Sequence, residues 1–120
     1  MAGPRRRRLS RSAEFDRVYR EGRSHAGRHL VLYSFPREGD DDVAPRLGLS
    51  VGRKVGGAVE RNKVKRLLRE AFWQSEERIP AGHDFVVVAR AEAAELADRD
   101  GLAGIKAELD ELLEKAGPKK

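Results

Sequence analysis

Arg61-Asn62-Lys63-Val64-Lys65-Arg66-Leu67-Leu68-Arg69-Glu70-Ala71-Phe72-Trp73 carries two opposed helical faces. Val64, Leu67, Leu68, Ala71 and Phe72 recur at the i, i+3, i+4, i+7, i+8 spacing of an amphipathic helix, so that stripe needs a core to pack on. Arg61, Lys65 and Arg69 are four apart from one another, as are Asn62 and Arg66, and all five crowd the side away from the stripe. A merely solvated face interleaves Glu with Lys at that spacing, because like charges there are mildly destabilising. Here only Glu60 and Glu70, near the two ends, interrupt the cations. Glu60 suits a helix start, whereas Glu70 does nothing for the dipole at the other end. The basic side therefore predicts a phosphate-binding surface.

Working upstream, Leu47-Gly48-Leu49-Ser50-Val51-Gly52 alternates large apolar with small residues, the period of a strand that turns Leu47, Leu49 and Val51 to a core. Its other side, Gly48, Ser50 and Gly52, is almost bare. Small residues also occur where another element packs tightly, but here they adjoin Arg53 and Lys54 in a turn that Gly56 and Gly57 loosen. A bare strand face beside a basic loop and a basic helix lets a sugar-phosphate backbone come close.

Leu47 to Phe72 resembles the signature region of the bacterial ribonuclease P protein subunit, a family whose hallmark is an Arg-Asn-basic helix followed by Lys-Arg and a further Arg. Arg61, Asn62, Lys63, Lys65, Arg66 and Arg69 match it. The third hallmark position is often Arg; Lys63 keeps the charge and loses bidentate geometry. Weaker motifs extend the resemblance over Phe15 to Gly22 and His29 to Ser34, and in all it spans about Leu9 to Leu113.

The 120 residues suit one domain with a modest core. Lys and Arg number 25 against 20 acids, a net charge of +5, yet Met1 to Arg37 holds ten Arg against three acids, 10 − 3 = +7. Such asymmetry favours a polyanion, nucleic acid before anionic membrane. With no Cys, disulfides and Cys-ligated zinc are excluded. No apolar run is long enough to span a bilayer, and Arg5 to Arg8 is not followed by the apolar segment of a secretory signal, so the cytoplasm is the expected compartment.

In chain order, residues 1–8 read as a disordered basic arm, 9–115 as a single RNA-binding domain and 116–120 as a basic tail. Ser10 or Ser12 can cap a helix running to about Arg20, stopped by Gly22. Phe15, Val18 and Tyr19 share one of its faces; aromatics so spaced usually belong to a core, but Arg11, Arg17, Arg20 and Arg23 around them also fit an RNA surface. His29 to Phe35 is a strand with Leu30 and Leu32 on one side and Val31, Tyr33 and Phe35 on the other. His25 and His29 lack a carboxylate nearby to complete a zinc set. Asp40 to Asp42 make a solvated loop, since the spacing of a calcium loop is missing. Ile79 to Gly82 is a loop, and His83 to Arg90 a near-continuous apolar strand, central in its sheet. Ala91 to Asp100 predicts a loop with a short helical turn. Ile105, Leu109, Leu112 and Leu113 define a last helix from about Leu102 to Lys115.

The expected fold is α/β in the α+β sense, a two-layer sandwich of one mixed sheet of about four strands with three helices, in the order α-β-β-β-α-β-α. Three strands are clear; Val43 or the region of Gly27 supplies the fourth. The resemblance implies a ribosomal-protein-like domain with a left-handed βαβ crossover, where general rules alone give a right-handed one.

No catalytic constellation is legible: the histidines are scattered, and Gly52 to Lys63 does not match the phosphate-cradling P-loop. The resemblance implies an RNA-based endonuclease in which a catalytic RNA performs magnesium-dependent hydrolysis of the 5′ leader of precursor tRNA. The protein then binds no tight cofactor or metal of its own, needs no membrane and has no obligate protein partner. It also implies that Arg53, Lys54, Arg61, Asn62, Lys63, Lys65, Arg66 and Arg69 meet the catalytic RNA. Phe15, Tyr19, Tyr33, Gly48, Ser50 and Gly52 face the leader, and either Arg53 or Lys54 can belong to that second group. Two other readings are a general RNA binder, such as a ribosomal protein or RNA chaperone, and a DNA-binding protein with the Arg61–Arg69 helix in a major groove.

Overall fold

The apolar run His83–Ala89 lies in the middle of a mixed sheet, as a strand with two apolar faces requires. The structure, a computed structural model, describes residues 7–8, 12–36, 45–75, 77, 79 and 82–116. Its elements are β1 (Arg7–Arg8), α1 (Ser12–Glu21), β2 (Arg23–Ala26), β3 (Leu30–Pro36), β4 (Arg46–Val51), α2 (Ala58–Gln74), β5 (His83–Ala89) and α3 (Ala93–Lys115). The sheet order is β1-β4-β5-β3-β2, with β5 parallel to β4 and antiparallel to β3. The basic helix α2 is thus the crossover between two parallel neighbours.

One face of the sheet presents Leu30, Leu32, Leu47, Val51, Phe85, Val87 and Ala89 to α2 and α3. All five residues of the α2 stripe are buried there, and the Phe72 and Phe85 rings meet at 5.4 Å. Ile105, Leu109, Leu112 and Leu113 close this core from α3. The other face carries α1, whose fully buried Val18 packs on Val86 among Phe15, Tyr33, Phe35 and Val88. The two expected layers are present, and α1 adds a partial third.

The inferred fourth strand is present as Arg23–Ala26, hydrogen-bonded to β3, from the Gly27 side of the two options. The structure departs from the sequence reading in two places. Arg7 and Arg8 pair in parallel with Arg46 and Leu47, so a fifth, two-residue strand lies inside the stretch expected as a loose arm. The stretch from Ala91 expected as a loop with a short helical turn is helical from Ala93. Its buried residues, Ala93, Leu96 and Ala97, are mostly alanines, which mark a helical face weakly in sequence yet let α3 lie close to the core. Gly101 does interrupt it, at φ 59° and ψ −147°, but as a kink from which the helix resumes. Ser10, Arg11, the Asp40–Asp42 loop, Pro80, Ala81 and the tail from Gly117 lie outside the described residues.

Two carboxylates hold the sheet together and fasten α3 to it. Asp84 accepts from Arg46 Nε at 2.9 Å and Nη2 at 2.8 Å, a bidentate pair between β4 and β5. Glu108 of α3 accepts the backbone N–H groups of His29 at 2.7 Å and Leu30 at 2.9 Å through Oε2, and meets His29 Nδ1 at 2.7 Å through Oε1. Gly27 makes room for it, since a Cβ there would lie 2.5 Å from Glu108 Oε2. The carboxylate that meets the His29 ring lies 79 residues away in the chain.

Candidate nucleic-acid interface

The start of α2 is held in a defined geometry. Val55 N–H donates to Gly52 O at 3.1 Å and Gly56 N–H to Arg53 O at 3.2 Å, while the buried Val55 side chain anchors the turn. Gly56 takes φ 153°, which a side chain tolerates poorly. Glu60 Oε1 then accepts the Gly57 N–H at 3.1 Å, covering one of the orphan donors at the helix start. Beyond this cap Asn62, Arg66 and Arg69 are exposed, and Arg61 and Lys65 are half-buried along the flanks. Among the described residues no carboxylate pairs with Arg61, Lys65, Arg66 or Arg69, and the buried Arg61 Nε has no hydrogen-bond partner. Lys63 differs: its Nζ sits 2.9 Å from Asp98 Oδ1 of α3, which turns it to the side of the basic face.

On the opposite face of the sheet α1 packs over β3, β5 and β2, leaving the far side of β4 less covered. The Tyr19 and Tyr33 rings meet edge-on at 4.9 Å, and Phe15 lies 6.3 Å from Tyr19. The Arg17 guanidinium stands 4.8 Å over Phe35. Strand register sets Tyr33, Val86 and Gly48 side by side, then Val31, Val88 and Ser50. The bare strip is only partly open. Gly48 is buried, Ser50 half-buried and Gly52 exposed. With no side chain to rise above its row, Gly48 is the least exposed of the three. From Ser50 a depression of about 600 Å³ opens between β4 and β5, lined by Gly52, Arg53, Lys54, Val88 and Arg90 as well. Arg53 and Lys54 are therefore beside the groove, where the groove and the α2 face meet.

Arg90 was not singled out from sequence because it reads simply as the end of a strand. Its place follows from register: Ala89 pairs with Val51, which brings the next residue of β5 beside Gly52. Its Nη1 donates to Gly27 O at 3.1 Å. Among the described residues no three His, Asp or Glu side chains are grouped to hold a metal ion. Between them the two surfaces carry cations, aromatic edges and small residues, the means by which proteins hold single strands and phosphate backbones.

A family model described as Ribonuclease P matches residues 4–117. The chain belongs to the ribonuclease P protein family. The ribonuclease P protein component of Halalkalibacterium halodurans is 48% identical over 89 residues, covering 74% of this chain and 73% of that one. That of Shouchella clausii is 40% identical over 109 residues, 91% and 84% of the two chains. The solved RNase P protein of Staphylococcus aureus superposes with a TM-score of 0.79 at 36% identity, over 92% of this chain and 94% of its own. The Thermotoga maritima RNase P protein gives 0.78 at 33% identity, over 90% and 96%. As a member of this family the chain is the protein subunit of an endonuclease that processes tRNA, and the RNase P RNA is its partner.

Proposed function

We propose that the two surfaces divide the labour of that subunit. Arg61, Asn62, Lys65, Arg66 and Arg69 on α2 dock on the catalytic RNA, with Lys63 at the edge of the contact. The groove of Phe15, Tyr19, Tyr33, Ser50 and Gly52 receives the 5′ leader of precursor tRNA, and Arg53 and Lys54 bridge the two. The observation that carries this division is the set of α2 cations that no carboxylate pairs with among the described residues, with the Phe15–Tyr19–Tyr33 ring cluster on the other face of the sheet. Cations facing phosphates need no internal partner, and aromatic edges next to an open strand suit unstacked bases.

Asp84, Glu108 and Asp110 are engaged with Arg46, with His29, and with Ser75 and Lys106. Among the described residues no three His, Asp or Glu side chains are grouped, which supports placing magnesium with the RNA subunit. The protein acts by positioning, in the cytoplasm with the precursor tRNAs it serves, and without an obligate protein partner. No helix among the described residues is long and apolar enough to cross a membrane.

The test is reconstitution. The RNA-free protein leaves precursor tRNA intact, and cleavage at the leader junction appears only when the catalytic RNA and magnesium are added. Cleavage by RNA-free protein that a point substitution in this chain abolishes would sink the proposal. A general RNA binder would instead retain ribosomal RNA on purification, and a major-groove binder duplex DNA.

The same reading predicts the salt response of Arg66→Ala. Each phosphate contact releases counterions, so the variant binds the catalytic RNA more weakly and its log–log salt slope flattens by roughly 0.7 to 0.9. Filter binding across a salt series measures both. A loss of affinity at an unchanged slope would assign Arg66 to base contacts or to structure.

A further inference from the structure

Among the described residues two large apolar side chains are exposed, Tyr19 at 38% and Val59 at 79%. Tyr19 borders the leader groove. Val59 sits in the first turn of α2, on the helical strip that continues through Asn62, Lys63 and Arg66 at i+3, i+4 and i+7. Its direction matters too, because helical side chains lean toward the N-terminus. Val59 therefore leans toward the turn that holds Arg53 and Lys54.

Local stability gives no reason for valine there. A β-branched residue is a poorer helix former than alanine, the first turn favours acids, and burial contributes almost nothing at this exposure. A position where local preference is broken without a packing gain is where function is expected. The backbone around it is fixed by the Gly57–Glu60 bond and the anchored Val55 turn, so the side chain is presented on a rigid frame.

We infer that Val59 is a contact residue for the catalytic RNA, its two methyl groups packing on the apolar face of a nucleotide while the surrounding cations hold the flanking phosphates. Arg66 on the same strip, without a carboxylate partner among the described residues, and the exposed Arg53 and Lys54 of the preceding turn favour a polyanion as the occupant. Phosphate contacts are tolerant of register, since one phosphate is like the next. A shaped apolar contact at the helix start sets the register of α2 along the RNA. This assignment rests on the proposed role of the α2 face.

The experiment measures binding of the full chain to its catalytic RNA over a salt series, with thermal melting, for Val59→Ala, Val59→Ile and Arg66→Ala. Val59→Ala binds about tenfold more weakly at every salt concentration, with the slope of the native chain and a melting temperature equal or higher. Val59→Ile restores the affinity to within about threefold, because it keeps the apolar contact. Native affinity in Val59→Ala, a flattened salt slope, or a drop in melting temperature each overturns the inference. If Arg66→Ala loses affinity while Val59→Ala does not, the inference fails and the role of α2 stands. If neither variant loses affinity, the role of α2 itself fails.

Discussion

Glu108→Ala lowers the free energy of unfolding by about 3 to 5 kcal/mol, a shift in melting temperature on the order of 10 to 20 °C. The carboxylate serves three groups at once: the backbone N–H of His29, that of Leu30 and the His29 ring. His29 is buried and Leu30 fully so, which leaves the donors little access to water once the acceptor is lost. Buried donors left unpaired cost about 1 to 3 kcal/mol each, more than the net gain of an ordinary hydrogen bond. Because Glu108 belongs to α3 and its partners to the start of β3, the loss also loosens the helix from the sheet. Glu108→Gln keeps one carbonyl acceptor and falls between the two extremes. Glu111→Ala is the control, an exposed site on the same helix where the change stays within about 0.5 kcal/mol. Chemical denaturation of the three variants measures the series. A loss below about 1 kcal/mol for Glu108→Ala would show that the cluster relaxes around water.

That clamp marks the limit of what sequence alone discloses. Periodicity is local, so it located the α2 stripe, the strand at Leu47, the central strand at Phe85 and the apolar face of α3 from Ile105, all packed in the core as spaced, with Leu49 only partly buried. Glu108 and His29 are brought together only by the fold, and an acid on a charged helix face gives no sign that it is turned inward. The first half of α3 was illegible for another reason: alanine fits both a loop and a tight helix contact, and packing decides between them. The site divides the same way. The cation spacing on α2 was readable residue by residue, whereas the burial of Gly48, the turning of Lys63 to Asp98 and the arrival of Arg90 beside Gly52 depend on neighbours across the sheet or on α3.

Tyr19→Ala weakens holoenzyme binding of precursor tRNA by about 5- to 150-fold, the range of about 1 to 3 kcal/mol for one lost base stack, and leaves mature tRNA unaffected. The structure separates Tyr19 from Phe15, two residues one turn apart that sequence treats alike. Tyr19 is 38% exposed and offers its ring beside Tyr33, while Phe15 is half-buried against the Val18–Val86 cluster. Truncating Tyr19 therefore removes a groove wall with little change in melting temperature. Truncating Phe15 removes packing as well: a fully buried Phe is worth about 3 to 5 kcal/mol on truncation, and a half-buried one a fraction of that. Phe15→Ala accordingly melts lower and loses affinity for both RNAs, on top of any loss of leader preference. The ratio of precursor to mature affinity, measured beside melting for each variant, isolates the leader term, because instability cancels in the ratio. If the ratio is unchanged in Tyr19→Ala, the groove does not hold the leader, and α1 is simply the cover over the second face of the sheet.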